Sequence, residues 1–252
     1  MINIRFFKLL IVTNLIAVAV QAKVVSPHFR TYDLNDGLSS NTTTSITQDN
    51  SGFMWVGSYD GLNRFDGHQF KVFKHDPENS RTLSDIRVTS LLVDSKQRMW
   101  VGTWGGGLNA YNEELEQFTH FRFSELDDDS LSSDQVFTLF EDNLDHLWVG
   151  TNSGLNFFDP DNKKFSRFFP TADTGEEASA DTIRSITQLS SQQLLIGSYR
   201  GLFSFSLETR KFTRFNVLTD GPSLDTAQIY AVFKDSSDRI WLATDQGVFM
   251  QP

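Results

Sequence analysis

One stretch recurs five times along this chain, and the recurrence limits the fold more than any other feature. The first copy runs Gly52-Phe53-Met54-Trp55-Val56-Gly57-Ser58-Tyr59-Asp60-Gly61-Leu62-Asn63-Arg64-Phe65. The second runs from Met99 to Tyr111, the third from Leu147 to Phe158, the fourth from Leu194 to Phe205 and the fifth from Ile240 to Phe249. The anchor is Trp55, Trp100, Trp148, Leu195 and Trp241, which gives a spacing of 45 to 48 residues. Repeats of that length belong to solenoids, propellers or arrays, in which each unit buries its apolar face only against a neighbour.

Within a repeat the pattern is that of short strands. In the first copy, Thr42 to Gln48, Phe53 to Gly57, Gly61 to Phe65 and Gln69 to Phe73 are strand-like. Asp-, Ser- and Gly-containing turns separate them. Such turns leave no room for helices of ten or more residues. Four antiparallel strands per period predict the blade of a β-propeller, and the fold class is all-β. The first strand repeats a small residue, at Ser45, Ser90, Thr138, Ser185 and Ala231, followed each time by an aliphatic one. Adjacent strand residues face opposite ways, so this strand suits the crowded centre of a ring. The fourth strand repeats Phe-x-x-Phe at Phe70/Phe73, Phe118/Phe121, Phe165/Phe168 and Phe212/Phe215.

The repeats span about 36–73, 84–121, 132–168, 181–215 and 226–250, and polar linkers join them within one propeller domain, 23–252. Residues 29–34 resemble a lone fourth strand through Phe29 and Tyr32, and the fifth repeat stops after its third strand. Two arrangements fit this pattern. The leading strand completes the last blade and closes a five-bladed ring, or the chain is an open arc of a larger propeller.

The 23 Phe and 5 Trp provide the bulk of a core. With no Cys, disulfides and thiolate metal sites are excluded. Residues 1–22 have the layout of a secretory signal peptide: Arg5 and Lys8, an apolar run from Leu9 to Val20, then small residues at a cleavage position. Left uncleaved, the same segment is the chain's one route to a membrane. The net charge of −10 becomes more negative once that basic segment is removed. Such acidity argues against nucleic acid as a partner, since binding to polyanions needs clustered Lys and Arg.

Asp36-Gly37-Leu38-Ser39-Ser40-Asn41, Gln48-Asp49, and the run from Gly52 to Gly67 resemble the two-component regulator propeller repeat, and the later copies repeat it. The resemblance covers roughly 29–250. It implies a periplasmic sensor region, in a family where more such repeats precede a membrane span and a histidine kinase or diguanylate cyclase output. Many members are thought to sense carbohydrate fragments. The chain matches only the leading part of such a sensor, which implies a truncated sensor lacking its output domain. A signalling partner protein, or a scaffold that docks protein without a small ligand, is the other reading.

The sequence specifies no catalytic group, cofactor or metal. His28, His68, His75, His120 and His146 fall in no metal-binding spacing. Gly105-Gly106-Gly107 is a turn without the helix of a phosphate loop, and Asp127-Asp128-Asp129 reads as a solvated linker. The repeating Asp49, Asp94, Asp142 and Asp235 suits a turn that bonds its own backbone. The informative positions are those where the copies disagree inside an otherwise constant frame. They lie in the loop between the second and third strands, at Tyr59, Asp60, Trp104, Asn152, Tyr199, Arg200 and Asp245. Aromatic faces with fixed polar groups suit a sugar or another small ligand, and loops on a rigid scaffold are where binding residues concentrate.

Overall fold

The computed structural model describes residues 28–170, 182–215, 224 and 227–251. The signal-peptide segment 1–22, the linker 171–181 and most of 219–225 lie outside the described residues. Residues 1–31 and 32–252 separate into two units, and the second carries all the strands found among the described residues.

Nineteen strands, counted over the described residues, form five antiparallel sheets in chain order. The first holds β1 (Thr43–Gln48), β2 (Met54–Ser58), β3 (Gly61–Phe65) and β4 (Phe70–Phe73). The second holds β5 (Val88–Val93), β6 (Met99–Thr103), β7 (Leu108–Asn112) and β8 (Gln117–Phe121). The third holds β9 (Val136–Glu141), β10 (Leu147–Thr151), β11 (Gly154–Asp159) and β12 (Lys164–Phe168). The fourth holds β13 (Ile183–Ser190), β14 (Gln193–Ser198), β15 (Gly201–Ser206) and β16 (Phe212–Arg214). The fifth has three strands, β17 (Ile229–Lys234), β18 (Ile240–Thr244) and β19 (Gly247–Gln251). Each sheet is a simple meander whose first strand packs against the first strand of the next, from β1 through β5, β9 and β13 to β17. No contact of comparable extent joins β17 to β1, so among the described residues the sheets form an open arc.

The expectation that 29–34 forms a strand is corrected. Residues 28–33 carry no strand, and Leu34–Asp36 is a turn of 3-10 helix. The cause is local. The Asp33 carboxylate accepts from the Asn35 N–H, and the Asp33 N–H donates to the Asp36 carboxylate, a capping box that diverts the backbone from an extended path. Closure of a five-bladed ring through that segment goes with it. Tyr32 instead packs edge-on against Phe65, at 4.9 Å, and Phe70, at 5.9 Å, on the open face of the first sheet.

Pairing explains the sequence pattern. Trp55 pairs with Thr47 and Arg64 in the neighbouring strands and faces the second sheet. There it packs with Met99, Val101, Phe118 and Tyr111. Trp100 packs in the same way with Leu147, Val149 and Phe158, and Trp148 with Ile196 and Phe205. The paired phenylalanines of the fourth strand sit three residues apart, so they point to opposite faces. Phe73 meets Phe118 across one interface, and Phe121 meets Phe165 across the next.

Two polar devices recur beneath this packing. Asp49, Asp94, Asp142 and Asp235 each accept the indole N–H of the Trp six residues on, at 2.7 to 2.9 Å. Each also accepts backbone N–H groups of its own turn. In the fourth sheet the Trp position is Leu195 and the Asp position is Leu189, both packed in one apolar cluster. Asn63, Asn109 and Asn156 form the second device. Each is fully buried, accepts the N–H of Ser39, Ser84 or Ser132 and donates to a carbonyl of the neighbouring strand.

Candidate functional site

The loops between second and third strands share one construction. Ser58, Thr103, Thr151, Ser198 and Thr244 each donate their hydroxyl to the carbonyl of the glycine that reopens the chain, at 2.9 to 3.1 Å. Those glycines, at 61, 107, 154, 201 and 247, have φ from 75° to 122°, a region costly for residues with a Cβ. The residue after each hydroxyl donates its backbone N–H to the residue entering the innermost strand of its own sheet. The pairs are Tyr59 to Thr42, Trp104 to Arg87, Asn152 to Gln135, Tyr199 to Thr182 and Asp245 to Gln228. Five of the seven residues singled out in the sequence are therefore held at equivalent places along the inner rim.

The other two, Asp60 and Arg200, follow directly and are tied to the outer part of their sheets, Asp60 through its side chain and Arg200 through its backbone. Asp60 forms an ion pair with Lys74, just past the outer strand β4, at 2.6 Å. The Arg200 carbonyl accepts from Arg214 of the outer strand β16. Two of the five rim residues are occupied by local bonds. The Asp245 carboxylate accepts the Gln228 N–H, and Asn152 accepts the Thr182 hydroxyl. Tyr59 is 53% exposed and has no ring neighbour among the described residues.

Trp104 and Tyr199 belong to one continuous feature. Trp104 meets Phe137 edge-on at 5.3 Å, and Arg87, paired with Asp85, lies over the Trp104 ring. The Arg184 guanidinium lies 4.5 Å from the centre of the Phe137 ring and 5.6 Å from that of Tyr199. Tyr199 in turn meets Tyr230 at 6.3 Å. Trp104, Phe137, Arg184, Tyr199 and Tyr230 thus form a stripe across four sheets. Trp104, Tyr199 and Tyr230 are each more than a third exposed.

Phe137, Arg184 and Tyr230 are the residues that sequence reasoning missed. All three occupy the second place of their innermost strand, where the first two sheets have Thr44 and Thr89. Those threonines donate across the interface to the carbonyls of Val88 and Val136. The signal was present. This position varies from copy to copy beside the constant small residue that follows it, as the loop centres do.

The acidic linker is held by its neighbours: Asp129 pairs with Lys164, and the Asp127 and Ser130 carbonyls accept from Arg167. No cluster of three or more metal-ligating side chains occurs among the described residues. A groove of about 540 Å³ lies away from the stripe. It lies on the open face of the first sheet, lined by Tyr32, Ile46, Met54, Val56, Phe65 and Phe70.

Repeated four-stranded meanders, packed face to face through a tryptophan and presenting variable side chains on one loop face, define a β-propeller-type repeat protein. The family model of the two-component regulator propeller matches residues 37–60, 82–105 and 130–153. "Histidine kinase P4" of Formosa agariphila is 39% identical over 82 residues, which is 32% of this chain and 6% of that protein. A solved extracellular domain, described as that of the putative hybrid two-component system BT3049 of B. thetaiotaomicron, is 27% identical. It superposes with a TM-score of 0.76 over 88% of this chain and 30% of its own length. The corresponding domain of BT4673 from the same organism, at 21% identity and a TM-score of 0.66, shares the fold over 83% of this chain and 27% of its own. The chain therefore spans less than a third of each of these relatives. No helix among the described residues is long and apolar enough to cross a membrane.

Proposed function

We propose that this chain is the non-catalytic, ligand-sensing propeller of a two-component-type signalling protein, working in the periplasm, with its output step supplied outside residues 28–251. The observation that carries this reading is the stripe of Trp104, Phe137, Arg184, Tyr199 and Tyr230. Exposed aromatic faces held by a rigid repeating frame, with one cation among them, make a platform for the flat face of a sugar ring. The extracellular location of the similar B. thetaiotaomicron domains supports the periplasmic assignment, and the kinase name of the Formosa relative supports the signalling one. The frame does not depend on the stripe residues, because its hydrogen bonds are made by the Ser/Thr hydroxyls, the Asn side chains and the backbone.

The test is a glycan panel read by thermal shift and calorimetry on the chain and on a Trp104→Ala/Tyr199→Ala variant. Aromatic anchors carry most of the energy of such contacts, so the variant is expected to lose at least about tenfold in affinity while keeping its melting cooperativity. A folded variant with unchanged affinity removes the stripe as the site.

A further inference from the structure

Arg184 stands at the centre of the stripe with no ion-pair or hydrogen-bond partner among the described residues, and its Nε is fully buried. The chain as a whole is acidic, with 32 Asp and Glu against 22 Lys and Arg, and other arginines have found carboxylates. Arg64 meets Glu116, Arg98 meets Asp94 and Arg239 meets Asp235. What Arg184 has instead is rings, Phe137 at 4.5 Å and Tyr199 at 5.6 Å. Ring contact holds a guanidinium in place without supplying a hydrogen-bond acceptor for its N–H donors. An edge of unused donors, fixed by aromatic walls beside exposed rings, is matched by a planar or tetrahedral oxyanion.

We propose that the ligand of the stripe is an acidic saccharide. Its sugar rings lie on Trp104, Tyr199 and Tyr230, and a carboxylate or sulfate substituent is received by the Arg184 edge. Arg87 does not duplicate this role, because Asp85 lies 3.7 Å from its guanidinium. The inference rests on the proposed sensing function and adds the charge of the ligand to it.

The experiment compares an oligouronate with the same oligosaccharide methyl-esterified at its carboxylates, and adds a sulfated neutral oligosaccharide as a third probe. Binding to the chain, to Arg184→Gln, to Arg184→Lys and to Trp104→Ala is measured by calorimetry at two salt concentrations. A hydrogen-bonded charge pair changes affinity by roughly ten- to a hundredfold. The chain should therefore prefer at least one of the two anionic probes over the ester by that factor, and added salt should reduce the preference. Arg184→Gln should abolish the preference, bringing the anionic probes down to the affinity of the ester. Arg184→Lys should retain part of it, and Trp104→Ala should weaken every probe. Equal affinity for anionic and neutral probes, or an Arg184→Gln variant that weakens both alike, overturns the acidic ligand and leaves the sensing site standing. No binding of any probe by the chain overturns both.

Discussion

Asp142 and Trp148 show at the scale of single residues why the repeats agree where they do. The Asp142 side chain is fully buried and accepts from the Trp148 indole, the His146 ring and two backbone N–H groups. Removing either partner strands a buried polar group, at about 1–3 kcal/mol for each neutral group and more for a charge. The fourth sheet avoids this by changing both at once, to Leu189 and Leu195. A double-mutant cycle of Asp142→Leu and Trp148→Leu, followed by urea unfolding, should thus show favourable coupling of about 1–2 kcal/mol between the two leucines. Tyr111 is a residue whose polar tip was not provided for. Its hydroxyl is buried without a partner, while Phe158 and Phe205 occupy the equivalent place in later sheets. Burial pushes its phenol up to about 12. The fold therefore favours the neutral phenol, and its stability is complete below about pH 10 and declines as pH rises toward 12. Tyr111→Phe should leave stability unchanged or raise it by up to about 1 kcal/mol at neutral pH, and should flatten the alkaline decline seen by circular dichroism.

At the scale of the sheet, the decisive feature is how closely neighbouring first strands approach. Gly57 and Gly197 sit in second strands where an added Cβ would come within 2.6 Å of Val88 and 2.7 Å of Ile229, in the next sheet. Gly197→Ala should accordingly cost about 1–3 kcal/mol by overpacking, measured by chemical denaturation. The fifth sheet has Ala243 at this place, and no sixth sheet stands against it among the described residues. Asp235 belongs to the same sheet. The Trp241 indole and the Arg239 guanidinium hold its carboxyl well below the usual carboxylate range. Its contribution is thus complete above the ordinary value near about 3.9 and is lost as pH falls through the lowered one. The stability gap between the wild-type chain and Asp235→Asn should narrow as acid titrations pass below about pH 4.

At the scale of the whole molecule, the arc leaves two apolar faces uncovered. Ile46 is 66% exposed on the first sheet, and Phe233 and Val248 are 63% and 72% exposed on the fifth. Contiguous apolar surface of this kind binds amphiphilic dyes. Anilinonaphthalene sulfonate fluorescence should be well above that of a closed propeller. Ile46→Lys and Val248→Lys should each lower it without changing the melting temperature by more than about 2 °C, as expected for surface substitutions. Unchanged fluorescence in both variants would show that these faces are covered in solution.

The sequence alone was enough to establish the repeat, the strand pattern and the meander of each sheet. Those depend on short-range chemistry: turns at glycine and aspartate, alternation along strands, and an anchor tryptophan spaced from its aspartate. It also pointed to the loop centres, since a constant frame makes a varying residue visible. Distances between copies were beyond it. Trp104 and Tyr199 lie almost a hundred residues apart, and only packing of consecutive sheets joins them through Phe137 and Arg184. The fate of 29–34 was likewise decided by structure, because a Phe-x-x-Tyr spacing is indifferent to conformation whereas the Asp33 cap is not. Tertiary packing alone decided that the arc stays open and that Asp60 is drawn to Lys74 while five rim residues keep equivalent backbone positions. The reason is that such outcomes depend on which faces meet, and face-to-face contact is set by the whole stack rather than by any one repeat.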